Sequence, residues 1–519
     1  MYSLRILTSC LVTGMLGLTA IQGIAEERPN ILMIAVDDLK PLTGAYGDPH
    51  AITPAMDALA GQGTLFLNAQ CQQAVCGASR ASALTGLRPD TTHVWDFKSK
   101  MRDDLPNLVT LPQYFKQSGY HTASIGKIFD FRCCDGMQTN DVASWSQPHT
   151  TVPTDHLAWS HFGDPATKAK LEKLEARARE AGVKGSNAIK KHMNFMPTVE
   201  CIDENVPDNF YSDGMRTDRA IEMLEQFKTG KQPFFLALGY KKPHLPFVAP
   251  KKYWDMYDRQ TLPLAEYQKM PKDAPSLHYQ DSWELRSGYF PIPDGILPEE
   301  MQRELIHGYY ACVSYIDEQI SKVMEALEAN GLAGNTIIIL WGDHGWHLGD
   351  HGMWCKHTNY EQAARVPLII LDPRKGSKGN RVTTAVEFID MAPTLADLAG
   401  LEPFQDFQGM SLAGLMDNPD APFKDFAISQ FARSHEGPND TMGYAFRNER
   451  YRLILWIQMD YKSGERRGRV VARELYDYET DPLETVNLAS NPDSNSLLQD
   501  LIEQAEQFAA EHMDISWDL

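Results

Sequence analysis

Four short apolar runs, separated by helical patterns, constrain the fold of this chain more than any other feature. They are Asn30–Val36, Thr122–Ile125, Pro233–Leu238 and Asn335–Leu340. Continuous apolar stretches of this length suit strands buried on both faces, the condition of a parallel sheet covered by helices. Alternation of such runs with helices predicts an α/β fold. Each run leads into ionisable residues: Asp37-Asp38, then Lys127, then Lys241-Lys242-Pro243-His244, then Gly342-Asp343-His344. Open α/β sheets bind ligands beyond the carboxyl ends of their strands. Four strands delivering charge to one edge predict a site there.

At 519 residues the chain is long for one small core, so two domains are expected. The formal net charge of −20 argues against a nucleic-acid partner and against an anionic membrane surface. An anionic substrate would require the basic groups to be concentrated locally. Arg5, the apolar run Ile6–Ala20 and the small-residue exit Gly23-Ile24-Ala25 read as a secretory signal peptide over residues 1–25. The expected product is exported, periplasmic or secreted. Beyond Cys10 and Cys76, six cysteines remain: Cys71, Cys133, Cys134, Cys201, Cys312 and Cys355. An even number in an oxidising compartment permits disulfides, with Cys133-Cys134 able to reach a distant partner such as Cys201.

The segment Ala166–His192 is rich in Ala, Lys and Glu and reads as an exposed helical insertion. From about Phe423 the pattern changes. Tyr444–Arg447 and Tyr451–Ile457 read as antiparallel strands and the last residues as a helix. This divides the mature chain into a catalytic domain at 26–422 and a C-terminal antiparallel sheet with a helix at 423–519.

Cys76-Gly77-Ala78-Ser79-Arg80-Ala81-Ser82-Ala83-Leu84-Thr85-Gly86 reads as a nucleophile held at a helix N-terminus, where free backbone N–H groups and the dipole favour an anion. Arg80, one turn later, offers a guanidinium suited to a tetrahedral oxyanion. The segment resembles the signature of the sulfatase family, Cys-x-Pro/Ala-Ser-Arg-x-x-x-Leu-Thr-Gly. The resemblance runs from about Pro29 to Leu488, through motifs such as Phe388–Leu395 and Gln408–Leu412. It implies an alkaline-phosphatase/sulfatase-like architecture: a large mixed, mostly parallel sheet sandwiched by helices, with a smaller C-terminal α+β subdomain. It also implies that Cys76 is oxidised to formylglycine (3-oxoalanine) by a formylglycine-generating maturation enzyme.

Adjacent Asp37 and Asp38 at a strand end, with Asp343, suit a hard divalent cation, Ca2+ before Mg2+. The Asp343-His344 pair resembles the second half of the sulfatase metal site, making the expected metal set Asp37, Asp38, Cys76, Asp343 and His344. By the same resemblance Lys127 in Gly126–Phe129, His244 in Lys242–His244 and Lys356 in His351–Lys356 surround the sulfate with Arg80. One hydroxyl of the formylglycine hydrate would attack sulfur, His244 or Lys356 would protonate the leaving alcohol, and the second hydroxyl would expel sulfate. Position 78 is Ala where many members have Pro. Where relatives place a His shortly after the Gly-Lys motif, this chain has Asp130, leaving Asp130, His347 or His351 as candidates for that proton transfer.

Leu87–Phe97, Gly239–Phe247 and Trp341–Gly349 are most similar to the branch of the family acting on 2-sulfated uronic acids. The resemblance implies such a unit, or another sulfated saccharide, as substrate, with Trp346 and Trp354 as a candidate apolar wall for a sugar ring. Two alternatives stand beside it: a phosphonate monoester or phosphodiester hydrolase on the same scaffold, and an inactive relative that binds sulfated glycans.

Overall fold

The computed structural model describes residues 28–519 apart from 137–138, 154–164, 196–205, 290, 377–378, 439, 464–465 and 514. The signal peptide expected at residues 1–25 and the expected partner Cys201 lie outside the described residues.

The main sheet contains β1 (Asn30–Val36), β2 (Thr64–Phe66), β3 (His121–Gly126), β4 (Phe234–Tyr240), β5 (Thr336–Gly342), β6 (Leu368–Leu371) and β7 (Asn380–Val382). Their order is β7-β2-β6-β5-β1-β4-β3. The four runs read from sequence are the neighbouring parallel strands β5, β1, β4 and β3. Only β6 runs against its neighbours, β5 and β2, so the sheet is mixed and mostly parallel. Val36 lies opposite both Tyr240 and Gly342, and Gly126 opposite Gly239, so the ionisable residues leave the sheet along one edge.

Successive side chains of a strand point to opposite faces, and β1 feeds two cores accordingly. Leu32, Ile34 and Val36 join one, and Ile31, Met33 and Ala35 the other. The second core receives Ala78, Ala81 and Leu84 of α1 (Cys76–Thr85). The first is covered by α2 (Ser212–Phe227) and the long α3 (Glu299–Ala329), whose Leu305, Tyr309, Cys312, Ile316 and Ile320 recur at helical spacing.

The C-terminal subdomain is a sheet of β8 (Ala427–Arg433), β9 (Thr441–Arg447), β10 (Tyr451–Gln458), β11 (Arg467–Asp477) and β12 (Ser516–Asp518). The first four form an antiparallel meander and β12 pairs in parallel with β11. One face is closed by α4 (Asn495–His512) through Leu498, Leu501, Ile502, Ala505 and Phe508. The other face presents Ala445, Ile454, Trp456 and Tyr476 to Met353 and Tyr360. Buried Arg452 pairs there with Glu361 and, at 3.4 Å, with Glu484.

Two expectations are corrected. The inserted helices Pro165–Glu180 and Ser186–Met193 are not wholly exposed: Leu171, Ala178, Ile189 and Met193 are buried in the first core, because the insertion has an apolar face. Cys71, Cys76, Cys133, Cys134, Cys312 and Cys355 are all buried, and no disulfide joins described cysteines. Apart from Cys76, they act as small apolar groups inside the cores. Among the described residues no helix is long and apolar enough to cross a membrane.

Candidate active site

Backbone geometry at the sheet edge sets the site. Asp37 donates its N–H to Tyr240 O at 3.2 Å and Asp343 donates to Val36 O at 3.1 Å, tying three strand ends together. Asp38 has φ +62 and donates its N–H to Asp343 Oδ1 at 2.9 Å. Gly239 permits the closest approach: a Cβ there would stand 2.0 Å from the Lys127 carbonyl oxygen. Lys127 N–H donates to Gly239 O at 3.1 Å, so its backbone lies across the end of β4.

Cys76 is the first residue of α1, and no side chain caps that helix, so its first-turn amides remain available to a ligand. Every residue of α1 is buried. Arg80 donates Nε to Asp343 Oδ2 at 2.8 Å, Nη2 to Asp37 Oδ1 at 3.4 Å and Nη1 to the carbonyls of Lys127 and Ile128. Lys127 Nζ meets both Asp37 oxygens, at 2.8 and 2.6 Å. Lys356 Nζ meets both Asp38 oxygens, at 2.9 and 3.1 Å. His344 Nε2 lies 3.3 Å from Cys76 Sγ and 3.4 Å from Asp38 Oδ1. His244 Nε2 lies 4.0 Å from Asp38 Oδ2, and its Nδ1 bonds the Leu245 carbonyl at 2.8 Å.

The catalytic and metal-binding candidates singled out from the sequence thus meet at one place. Two overlapping sets have ligand atoms within 4.8 Å of one another: Asp37, Cys76, Asp343 and His344, and Asp37, Asp38, Cys76 and His244. His244 therefore faces Cys76 from within the acidic cluster. Three carboxylates with an imidazole form a donor set that fits a hard divalent cation.

Burial favours the neutral forms of these groups, and the cations decide where it is outweighed. Burial pushes the Asp37 carboxyl up, but Lys127, His244 and Arg80 together hold it well below the usual carboxylate range. At Asp38 burial prevails over His244 and Lys356, and the carboxyl is raised. Burial also drives the Cys76 thiol well above its ordinary value despite Lys127, which keeps the unmodified side chain a neutral thiol and a poor nucleophile.

Glu284 belongs to the site and is not legible in sequence. It sits on the short helix Trp283–Gly288, where no strand end or motif marks it. Its Oε1 accepts from Lys356 Nζ at 2.9 Å and lies 3.3 Å from His244 Nε2. Burial disfavours charge on Glu284, yet Lys356 and His244 hold its carboxyl well below the ordinary value. Tyr309, reaching from the middle of α3, donates to Asp38 O at 2.6 Å and accepts from Lys40 N at 3.0 Å. It too lacks a sequence signal, since one tyrosine on a long apolar helix reads as core.

The remaining candidates separate. Asp130 is buried, chelated by Arg132 at 2.8 and 2.7 Å, and 4.0 Å from Lys127 Nζ. His347 and His351 turn elsewhere, to Thr358 Oγ1 and Leu483 O, both at 2.9 Å. Trp346 and Trp354 do not form a sugar wall: they are 0% and 2% exposed and packed in the first core. Trp346 lies beneath Lys356, its ring 4.8 Å from Nζ. The indole at the rim is Trp283, 48% exposed and tilted against His357.

A buried cysteine at a helix N-terminus, ringed by carboxylates, lysines and an arginine at the edge of a mixed, mostly parallel sheet, places the chain among hydrolases of alkaline-phosphatase-like architecture. The chain belongs to the sulfatase family, whose pattern matches residues 29–401, and it is a sulfuric ester hydrolase. The pattern of the N-sulphoglucosamine sulphohydrolase C-terminal family matches residues 349–511. Similar proteins include iduronate 2-sulfatase of Mus musculus, 35% identical with 92% of this chain and 94% of that protein covered. Iduronate 2-sulfatase of Homo sapiens is 34% identical, covering 91% and 92%. In fold the chain resembles the phosphonate monoester hydrolase of Agrobacterium radiobacter, with TM-score 0.70, 21% identity and 94% and 96% of the two chains covered. It also resembles an enzyme solved with its substrate D-glucosamine-2-N,6-O-disulfate, with TM-score 0.69, 21% identity and 93% and 98% covered.

Proposed function

We propose that this chain removes sulfate from a 2-O-sulfated uronic acid, such as iduronate 2-sulfate, or from a related unit of a sulfated polysaccharide. The observation that carries the reading is the position of Cys76, on an uncapped helix N-terminus inside a ring of carboxylates, lysines and Arg80. The similarity to two iduronate 2-sulfatases over nearly the whole chain supports the substrate class.

In this reading Asp37, Asp38, Asp343 and His344, with residue 76, hold the cation, Ca2+ before Mg2+. When bound, it supplies Lewis-acid polarisation of the sulfate oxygens. Residue 76, converted to formylglycine, presents a hydrated aldehyde whose first hydroxyl attacks sulfur as its proton passes to Asp343. Arg80, Lys127 and Lys356 surround the sulfate oxygens and offset the charge that builds there, and such electrostatic stabilisation dominates catalysis of transfers of this kind. As the ester S–O bond breaks, His244 or Lys356 protonates the departing sugar oxygen. The second hydroxyl then yields its proton and sulfate leaves, restoring the aldehyde. Of the three groups considered for that last proton, Asp130 is the one in contact with a residue of the cluster, 4.0 Å from Lys127 Nζ, and so stays the favoured candidate, acting through Lys127.

Residues 26–422 form the catalytic domain and 423–519 the C-terminal one in this proposal. The apolar N-terminal segment ending at Ala25 supports export to the periplasm or beyond.

The test starts with protein co-expressed with a formylglycine-generating enzyme. The mass of the tryptic peptide carrying residue 76 should show formylglycine, and sulfate should be released from 2-O-sulfated uronic acid disaccharides. Faster turnover of phenyl phosphonate esters than of any sulfate ester would instead establish the phosphonate hydrolase alternative. An intact cysteine after co-expression would overturn the nucleophile assignment.

A further inference from the structure

We propose that Glu284 is a positioning residue for departure of the alcohol, holding the Lys356 ammonium and the His244 imidazole side by side where the sugar oxygen must receive its proton. This inference rests on the sulfate-ester reading above.

The cations of the site fall into two groups. Arg80 and Lys127 find their carboxylate partners chiefly within the acidic cluster, on Asp37 and Asp343. Lys356 and His244 both face Asp38, at 2.9 and 4.0 Å, and outside the cluster they share Glu284, whose Oε1 lies 2.9 Å from Lys356 Nζ and 3.3 Å from His244 Nε2. The imidazole is thereby fixed at both nitrogens, since Nδ1 is held on the Leu245 carbonyl. The His244 nitrogen lies within 4.8 Å of Cys76 Sγ, and Lys356 is joined to His244 through Glu284 and Asp38.

Glu284 is itself held in register with Lys356. Gln280 Nε2 donates to Trp354 O at 2.6 Å, and Trp354 N–H donates to Ser282 Oγ at 3.0 Å. Ser282 N–H donates to Gln280 Oε1 at 2.6 Å, closing the loop immediately before the helix. The segment bearing Glu284 is thus bonded to the strand Trp354–Cys355, which delivers Lys356. Trp283, the neighbouring residue, is 48% exposed, so this helix reaches the protein surface. Glu284 exchanges no proton in the step. The electron pair of the breaking S–O bond stays on the sugar oxygen, the proton comes from Lys356 or His244, and water restores it.

The test compares Glu284→Gln and Glu284→Asp with the parent enzyme, all bearing formylglycine, on two substrates. One is 4-nitrophenyl sulfate, whose phenolate departs without protonation. The other is a 2-O-sulfated uronic acid disaccharide, whose alcohol cannot. General acid catalysis contributes about 10²–10⁴-fold, so Glu284→Gln should lose at least about 10²-fold in kcat on the disaccharide and less than about fivefold on the aryl ester, with KM little changed. Glu284→Asp should recover part of the loss, and both variants should still unfold cooperatively, Glu284→Gln at a lower melting point because buried Lys356 loses a partner. Equal losses on both substrates, or full turnover of the disaccharide by Glu284→Gln, would overturn the proposal. If Glu284→Gln does not fold, the same substrate contrast in Glu284→Asp decides it. Failure of the parent enzyme on both sulfates would instead overturn the sulfatase reading on which the inference rests.

Discussion

Gly239→Ala isolates the contact that places Lys127. The new Cβ would stand 2.0 Å from the Lys127 carbonyl oxygen and 2.3 Å from its carbon, where ordinary van der Waals contact begins at 3.4 Å. The obstruction is backbone on both sides, so about 1.4 Å must be found by moving the Gly126-Lys127 turn away from β4. That movement breaks the Lys127 N–H to Gly239 O bond and draws Nζ from Asp37 and the carbonyl from Arg80. Overpacking of this kind costs about 1–3 kcal/mol and more where backbone must yield. A misplacement of about 1 Å at a reacting centre costs on the order of 10²-fold in rate. Differential scanning fluorimetry and sulfate release should therefore show a melting point several degrees lower and kcat/KM reduced at least about 10²-fold. The control is Gly61→Ala, in the helix Pro54–Gln62 with nothing within 4 Å of the new methyl, which should raise stability by about 0.5–1 kcal/mol and leave activity unchanged. Gly239→Ala protein with parental melting and kcat/KM within about threefold would refute the claim that this glycine sets the position of Lys127.

Cys76→Ala should abolish sulfate release while the melting point stays within a few degrees, since a buried thiol is replaced by a small apolar group; substantial residual turnover would refute the nucleophile assignment. Chelation followed by dialysis should lower both activity and melting point, and Ca2+ added back at about 100 times its Kd should restore about 2.7 kcal/mol; recovery with Mg2+ but not Ca2+ would refute the preference for calcium. His149, packed beside Ser124 at 2.8 Å, is pushed down to about 4 by burial and by Arg216. Its folded value lies below its ordinary 6.5, so the unfolded chain takes up the proton first; its stabilisation is present above pH 6.5 and lost as pH falls toward 4, by up to about 3 kcal/mol. Denaturant titrations across that range should show a shallower decline for His149→Gln, and an unchanged slope would refute the assignment.

Residue order along the chain shows which strand end carries each candidate group. Apolar runs bounded by Asp37-Asp38, Lys127, His244 and Asp343-His344 are local patterns, and the signature from Cys76 to Gly86 is local as well. A strand buried on both faces has to be continuously apolar, so β1, β3, β4 and β5 are visible. The short strands β2 and β7 are not, because pairing at the sheet margin rather than their own composition makes them strands, while β6 is apolar but only four residues long. Trp346 and Trp354 show the same limit from the other side: a motif places an indole near the site, but only packing decides whether its face meets solvent. Glu284 reaches Lys356 across 72 positions of the chain, and Tyr309 reaches Asp38 across 271, separations at which no periodicity survives. Their roles arise where a loop bonded to Trp354 and the middle of α3 close over the sheet edge. Sequence determined the reagents of this protein; the tertiary structure alone decided which of them touch, because contact depends on how separate segments pack and not on their spacing in the chain.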